Sequence, residues 1–468
     1  MTGPEQVDLL VTNAVVITMD DDRTIYADGA VAVRGNEIVA VGRRVDVEAA
    51  CSASRRLDAR GGVVMPGLVN GHRHMLGTPR GTLVEGRTTL ENLKNFVYPA
   101  FAALDAEDNY WNTLLNSIEM IRNGTTTFQE PGCTHLDSVV QAIDEVGIRA
   151  STGHWAWDQL GANSGQCPDY FFRMGTDEAL DLLRSSFHQV DGRAGGRLRG
   201  AITLEGVGTC SDALSVGARE LADELGTITV QHKATSVQEV QSELAAFGER
   251  PLQHLHSIGA LGPNVVLNHM TALEDFEVDL VAETGTMICH NPSSALKLSK
   301  GITQTGRFPE LLRRGVTIGL GTDGSNASNH SDIFRSMALA VLLPRDARID
   351  PSVTVAEDGM DMAIRGGAAV SGWGDAIGQL AVGRRADLIV VDTDRADMSP
   401  GLNVVQDLVY SATGSCVRHS VIDGVVVMED RELTTVDEAA VLAEARTRAI
   451  DLLARIDHDL TPRWPVVH

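Results

Sequence analysis

The sequence predicts an α/β fold: a (β/α)8 TIM barrel carrying a small composite β-sandwich domain formed by both chain ends. Three patterns carry this expectation. Near both ends, strand-like runs follow one another with no helix between them. From Pro66 onward, strand-like runs alternate with helical segments, the grammar of βα units and a parallel sheet. Polar residues stand at the C-terminal ends of eight such runs, the face at which a barrel gathers its chemistry. The corresponding division is 1–64 for the first part of the sandwich, 65–372 for the barrel, and 373–468 for the rest of the sandwich with a closing helix.

The elements follow in order. Residues 8–12 lead into 14–18, and 30–34 and 37–41 flank Gly35-Asn36, a two-residue hairpin signal. The eight barrel candidates end near His72, Phe128, His154, Glu205, His232, His269, His290 and Asp323. The fourth spans 198–204, the fifth 226–231, the sixth 264–268 and the eighth 316–321. Thr271 with Glu274 reads as a capping box opening a helix after the sixth strand, and Gly315 closes the helix before the eighth. After Trp373, residues 386–392 form a strand, and 417–421 and 425–427 flank a second hairpin signal, Asp423-Gly424. A last amphipathic helix opens at Thr435 and Glu438 and carries Val441, Leu442, Ala445, Ala449, Leu452 and Leu453 on one side.

The chain of 468 residues is 43% hydrophobic, enough to bury a large core. No apolar run reaches the roughly 18 residues that span a membrane, and residues 1–6 lack the basic-then-apolar pattern of a signal peptide. Six scattered cysteines, with no Cys-x-x-Cys pair, fit a reducing, cytoplasmic setting. A formal charge of −24 repels phosphate backbones, which excludes nucleic acid as an expected partner and leaves a small-molecule substrate.

The chemistry starts at Asn70-Gly71-His72-Arg73-His74. Alternate residues of an extended chain point the same way, so His72 and His74 make a metal-binding half-site. With His232, His269 and Asp323 they form a set of five ligand-type residues at predicted strand ends. Imidazole and carboxylate donors suit one or two borderline divalent ions: zinc, cobalt, iron or manganese. Three or four protein ligands leave a position for water, and the ion lowers that water's pKa toward neutrality. Asp323, in the turn Gly321-Thr322-Asp323-Gly324, is placed to accept the water's proton and pass it to a leaving group. Trp155 and Trp157 follow the third strand, where they either wall a pocket or sit in the core.

These motifs resemble the amidohydrolase superfamily, in the branch of cytosine deaminase-like, adenosylhomocysteine deaminase-like and triazine hydrolase enzymes. The likeness runs through the Pro66-Gly67-Leu68-Val69-Asn70 lead-in, Asn123-Gly124-Thr125-Thr126-Thr127, His269, His290-Asn291-Pro292-Ser293-Ser294, Leu320-Gly321-Thr322-Asp323-Gly324 and Gly383-Arg384-Arg385-Ala386-Asp387-Leu388. It implies ligand roles for His72, His74, His232 and Asp323. It further implies that His269 orients the water or binds a second metal, and that His290 lines the substrate pocket. It also implies a homo-oligomer, dimer or tetramer. His154 and Thr235, at and just past strand ends, are further candidate substrate contacts.

Two departures bear on substrate. Deaminases of this branch carry a glutamate three residues after the fifth-strand histidine, where this chain has Thr235. The fourth strand ends in Glu205 where the branch usually has a histidine. Glu205 then either contacts substrate or bridges two ions, and as a buried carboxylate it calls for a cationic partner such as a metal or Lys233. The missing glutamate favours cleavage of an amide, urea, carbamate or thiocarbamate C–N bond in an apolar or aryl compound, with Asp323, His269 and Glu205 as catalytic groups. This narrower pattern is similar to phenylurea and molinate-type hydrolases. The alternative is an aminohydrolase or chlorohydrolase acting on a nitrogen heterocycle, with Glu205 or Glu130 in the missing glutamate's role. A catalytically silent scaffold is the third class, set aside because all five ligand-type residues are present.

Overall fold

The computed structural model describes residues 4–76, 79–83, 85–161, 171, 174–458 and 464–465. The chain opens with β1 (Glu5–Ile17), paired antiparallel with β2 (Ile25–Arg34), which pairs with β3 (Glu37–Arg43) across Gly35-Asn36. Both β4 (Cys51–Asp58) and β5 (Val63–Pro66) run parallel to β1.

The barrel follows as parallel strands separated by helices: β6 (Leu68–Asn70), β7 (Thr125–Gln129), β8 (Arg149–Thr152), β9 (Trp155–Ala156), β10 (Leu198–Gly200), β11 (Ile202–Leu204), β12 (Thr229–Lys233), β13 (Val265–His269), β14 (Met287–His290) and β15 (Ile318–Leu320). One ladder runs β6-β7-β8-β10 and the other β9-β11-β12-β13-β14-β15. The third and fourth staves are each broken in two, at residues 153–154 and at Ala201, so ten strand pieces make eight staves. The ring closes where the Gly71 amide donates to the Leu320 carbonyl at 2.7 Å. Helices such as Leu136–Val146 and Asp212–Leu225 lay apolar faces on the outside of the staves.

The chain then returns to the first sheet through β16 (Leu388–Val391), β17 (Val417–Ile422), β18 (Val425–Glu429) and β19 (Glu432–Leu433). Antiparallel pairing of β16 with β5 joins the two ends of the chain into one nine-stranded sheet. Its apolar layer takes Leu9, Val31 and Ile38 from the first end and Leu388, Val390 and Val421 from the second. This strand system is locked to the barrel by Arg149, fully buried, whose guanidinium binds both oxygens of Asp387 at 2.8 and 2.9 Å and Asp423 at 2.7 Å.

Three expectations shift. The fifth stave starts at Thr229 rather than Gly226, because Gly226 adopts φ 66° and ends the preceding helix. The Thr271 hydroxyl donates to the carbonyls of Ala234 and Thr235 instead of capping, and the helix Asp275–Thr284 is capped at Glu274. Likewise Thr435 donates to Val146, and Asp437 caps the helix Glu438–Arg455. In both places a tertiary carbonyl outcompetes the local helix amide for a threonine that matched the spacing. No helix of the described residues is long and apolar enough to cross a membrane.

Candidate metal centre

Five side chains converge at the C-terminal mouth of the barrel. His72 and His74 lie just beyond β6, His232 in β12, His269 at the end of β13 and Asp323 in the turn after β15. His74 and His232 approach to 3.1 Å between their Nε2 atoms. Asp323 Oδ1 lies 3.7 Å from His72 Nε2 and 3.8 Å from His74 Nε2, and its Oδ2 lies 3.9 Å from His269 Nε2. Two overlapping triads, His72–His232–His269 and His72–His74–Asp323, each bring their ligand atoms within 4.8 Å of one another.

The donor set fits a divalent ion. Neither ring nitrogen of His72 and not Nδ1 of His74 has a hydrogen-bond partner among the described residues, although all are buried. Such orphaned atoms are costly unless something else binds them. Burial pushes all four imidazoles below the usual histidine range, His72 to about 4, which keeps them neutral and able to ligate. His232 donates Nδ1–H to the Glu205 carbonyl at 2.7 Å, which leaves the Nε2 lone pair facing the cluster. Burial works to raise the Asp323 carboxyl, but Lys300 and the neighbouring histidines overcome it and hold it well below the ordinary carboxylate range.

The backbone is strained to achieve this. Ala234, His269, Met270 and Asp323 sit at φ 44°, 81°, 50° and 63°, left-handed values that cost a non-glycine residue about 1–3 kcal/mol each. Arg73 braces the last of them. Its side chain, wholly buried between the two ligand histidines in sequence, donates to the Asp323 carbonyl at 2.8 Å and to Ser325 Oγ at 2.8 Å.

Beside the cluster opens a cavity. Leu93, Val97, Phe101, Trp155 and Leu298 form its apolar wall, and Glu205, Thr235, His269, Lys300 and Asp323 its polar floor. Glu205 Oε1 accepts from Tyr98 at 2.7 Å, and Oε2 accepts from the Val207 amide at 2.8 Å and from the Thr209 hydroxyl. The expected cationic partner is absent among the described residues: three neutral donors take its place, and Lys233 pairs instead with Glu243 at 2.9 Å.

A sequence profile described as the amidohydrolase family matches residues 63–427. The chain belongs to the amidohydrolase family. It is 36% identical over 444 residues to a 5-methylthioadenosine/S-adenosylhomocysteine deaminase of Syntrophobacter fumaroxidans, covering 95% of this chain and 98% of that protein. It is 34% identical over 454 residues to a 5'-deoxyadenosine deaminase of Methanosarcina mazei, covering 96% and 99%. Among solved structures, a zinc-bound adenosine deaminase from Xanthomonas campestris superposes with a TM-score of 0.88 at 30% identity, covering 96% of this chain and all of that one. A triazine hydrolase variant gives 0.84 at 23% identity over 94% and 99%, a likeness of fold. The protein is thus a metal-dependent amidohydrolase, a hydrolase acting on C–N bonds.

The amidohydrolase brings His72, His74, His232, His269, Asp323, Glu205, Thr235 and Trp155 to one place. Three other expected contacts lie elsewhere. His290 turns away from the cavity and stacks on Phe308, with ring centroids 3.6 Å apart. His154 bonds its Nδ1 to the Trp155 carbonyl at 3.0 Å, at the edge of the broken third stave. Trp157 stands behind Trp155, edge-on to it at 5.1 Å, and stacks on Phe171. Glu130 is also excluded from the floor: it lies behind His74, 3.9 Å from its Nδ1, and accepts from the Met75 amide. Residues 162–170, after the third stave, lie outside the described residues.

Lys300 is the residue the sequence did not mark. Its Nζ reaches both His269 and Asp323, yet it sits beyond a strand end in a run with no ligand-like spacing. Only the helix Pro292–Lys297 and the left-handed Ser299 that follows turn it inward.

Proposed function

We propose that this amidohydrolase is an aminohydrolase that exchanges the exocyclic amino group of a nitrogen heterocycle for oxygen, with His72, His74, His232 and Asp323 as its metal ligands. The observation that carries the reading is Glu205. A carboxylate offers about four acceptor positions, and three are taken by Tyr98, Val207 and Thr209. Glu205 lines the cavity, and the acceptor position left on Oε1 suits an N–H of an amino-heterocycle. The names of the relatives, methylthioadenosine and deoxyadenosine deaminases, support a 6-aminopurine nucleoside as the substrate class. The uncharged wall of Leu93, Val97 and Phe101 suits a nucleoside with an apolar 5' substituent.

A divalent ion held by these ligands would supply a water activated for attack near neutral pH. Asp323 accepts the water's proton, with Lys300 and His269 beside its Oδ2. His269 presents Nε2–H to the oxygen that enters the substrate, a fixed donor where negative charge develops. Trp155 lines the cavity and supplies apolar aromatic surface to a purine.

The test is an assay for released nitrogen. Ammonia from 5'-methylthioadenosine, 5'-deoxyadenosine or S-adenosylhomocysteine supports the reading. Release of an aryl or secondary amine from N-aryl ureas or thiocarbamates, with no ammonia from any nucleoside, rejects it. That second reading keeps one observation of its own, the absence of a carboxylate at Thr235.

A further inference from the structure

We propose that Thr235 and Glu239 form a proton relay in place of a direct carboxylate at position 235: the Thr235 hydroxyl, in the cavity floor, passes a proton between a substrate nitrogen and the carboxyl group of Glu239 behind it. The inference deepens the aminohydrolase reading and rests on it, because that chemistry needs a group to protonate the ring nitrogen and Glu205 is already occupied by three donors.

The geometry is specific. Thr235 lies three residues past His232 and lines the cavity with Glu205 and Lys300. Both its amide, at 2.6 Å, and its hydroxyl donate to Glu239 Oε2. Glu239 is 1% exposed, and its Oε1 has no partner among the described residues. The charged groups facing it are Lys233 and Glu243, paired to each other, and Lys300 from the cavity side. Burial, then Glu243, raise the Glu239 carboxyl to about 7, with Lys233 acting the other way. Both protonation states are therefore populated near neutrality, as a proton carrier requires. A purely structural role is capping: Glu239 stands in the first turn of the helix Val237–Phe247 and ties back to Thr235. Glutamine would serve that role as well, which separates the two.

The step balances. Glu239 gives its proton to Thr235 Oγ1 as Thr235 gives its own hydrogen to the ring nitrogen, while the water oxygen bonds to the ring carbon. Asp323 takes one water proton and hands it to the departing amino group. The C–N bond breaks and its electron pair leaves with ammonia. The second water proton, left on the new hydroxyl, returns through Thr235 to Glu239. Glu239 does not touch substrate and is a positioning residue; Thr235 is the catalytic one.

The test uses the full, metal-loaded chain with Glu239→Gln, Thr235→Val, Thr235→Ser and the double variant Thr235→Glu/Glu239→Gln. Loss of a general acid predicts that Glu239→Gln and Thr235→Val lower kcat by about 10²-fold or more with KM little changed. Thr235→Ser retains most of kcat, and the double variant, with a carboxylate moved into the cavity, recovers much of what Glu239→Gln loses. Wild-type kcat falls as pH rises through about 7, and Glu239→Gln loses that limb. Metal content and thermal midpoint are measured alongside, so that a folding or metal defect is not read as a lost proton. Wild-type kcat in a folded, metal-loaded Glu239→Gln, or equal losses in Thr235→Ser and Thr235→Val, overturns the relay. If the wild type releases no ammonia from nucleosides, the aminohydrolase reading fails by itself. The relay is then judged by infrared difference spectroscopy: a carboxylic-acid stretch that titrates, vanishes in Glu239→Gln and shifts in Thr235→Val keeps it, and no such band ends it.

Discussion

Lys300 Nζ lies 3.4 Å from His269 Nδ1, and lysine can only donate. The Asn291 amide nitrogen faces the same atom at 3.5 Å. His269 Nδ1 is therefore the acceptor, and the ring's single proton sits on Nε2, pointing at Asp323 and the cavity. A protonated Nε2 donates rather than ligates, so the prediction is one ion per chain with His269 beside it. Elemental analysis of the loaded protein should find one divalent ion per chain; two per chain would refute the assignment. Lys300→Met, which frees Nδ1 and removes the cation beside Asp323, should lower kcat by about 10-fold or more, as expected when a charged hydrogen-bond donor is lost.

Glu205 is predicted to bind rather than to carry the proton. Glu205→Gln keeps its shape and its contact with Tyr98 but weakens the acceptor offered to substrate. A hydrogen bond to a charged group is worth about 1.5–3 kcal/mol, so kcat/KM should fall by about 10-fold or more, chiefly through KM. A loss confined to kcat would make Glu205 the acid/base group instead.

The Arg149–Asp387 pair is predicted to hold the barrel to the strand system. Both side chains are buried and doubly bonded, and removing the Asp387 charge leaves the buried Arg149 with Asp423 as its one remaining carboxylate partner among the described residues. Asp387→Asn should destabilise the protein by about 3–5 kcal/mol, measured by denaturant unfolding. A change under about 1 kcal/mol, the scale of an exposed pair, would contradict the assignment.

Glu239 also makes a stability prediction whose sign is fixed. Its folded carboxyl titrates near 7, above the value of about 4.5 it has when exposed, so the folded state holds more protons between those values. Stability from this group is present at low pH and is lost as pH rises from about 4.5 through 7. The unfolding free energy of Glu239→Gln should therefore gain on wild type between pH 5 and 8, with both proteins in the same metal state. Parallel curves would show that Glu239 keeps an ordinary carboxyl.

Much of this was legible in the sequence, and what was not has a physical cause. Strand ends marked by His72, His232, His269 and Asp323 placed the centre, because side-chain alternation and the barrel's chemical face are local rules. Both hairpin turns, at Gly35-Asn36 and Asp423-Gly424, were fixed by left-handed backbone at their tips. Side-chain aim was not legible. His290 carries a strand-end signal and still turns to Phe308, while Lys300 carries none and enters the site through the left-handed turn at Ser299. Glu205 and Lys233 were candidates to pair, but the helix Val237–Phe247 brings Glu243 to Lys233 first. The substrate class was the least legible: the missing carboxylate at Thr235 favours a urea or carbamate, whereas the names of the relatives favour an amino-heterocycle.

The most direct test of the aminohydrolase claim is product analysis after incubating the metal-loaded protein with an aminopurine nucleoside in water carrying a heavy oxygen isotope. An aminohydrolase leaves one labelled oxygen on the ring carbon that bore the amino group and releases one ammonia for each product formed. An unchanged nucleoside, alongside cleavage of an N-aryl urea or thiocarbamate by the same preparation, would contradict it.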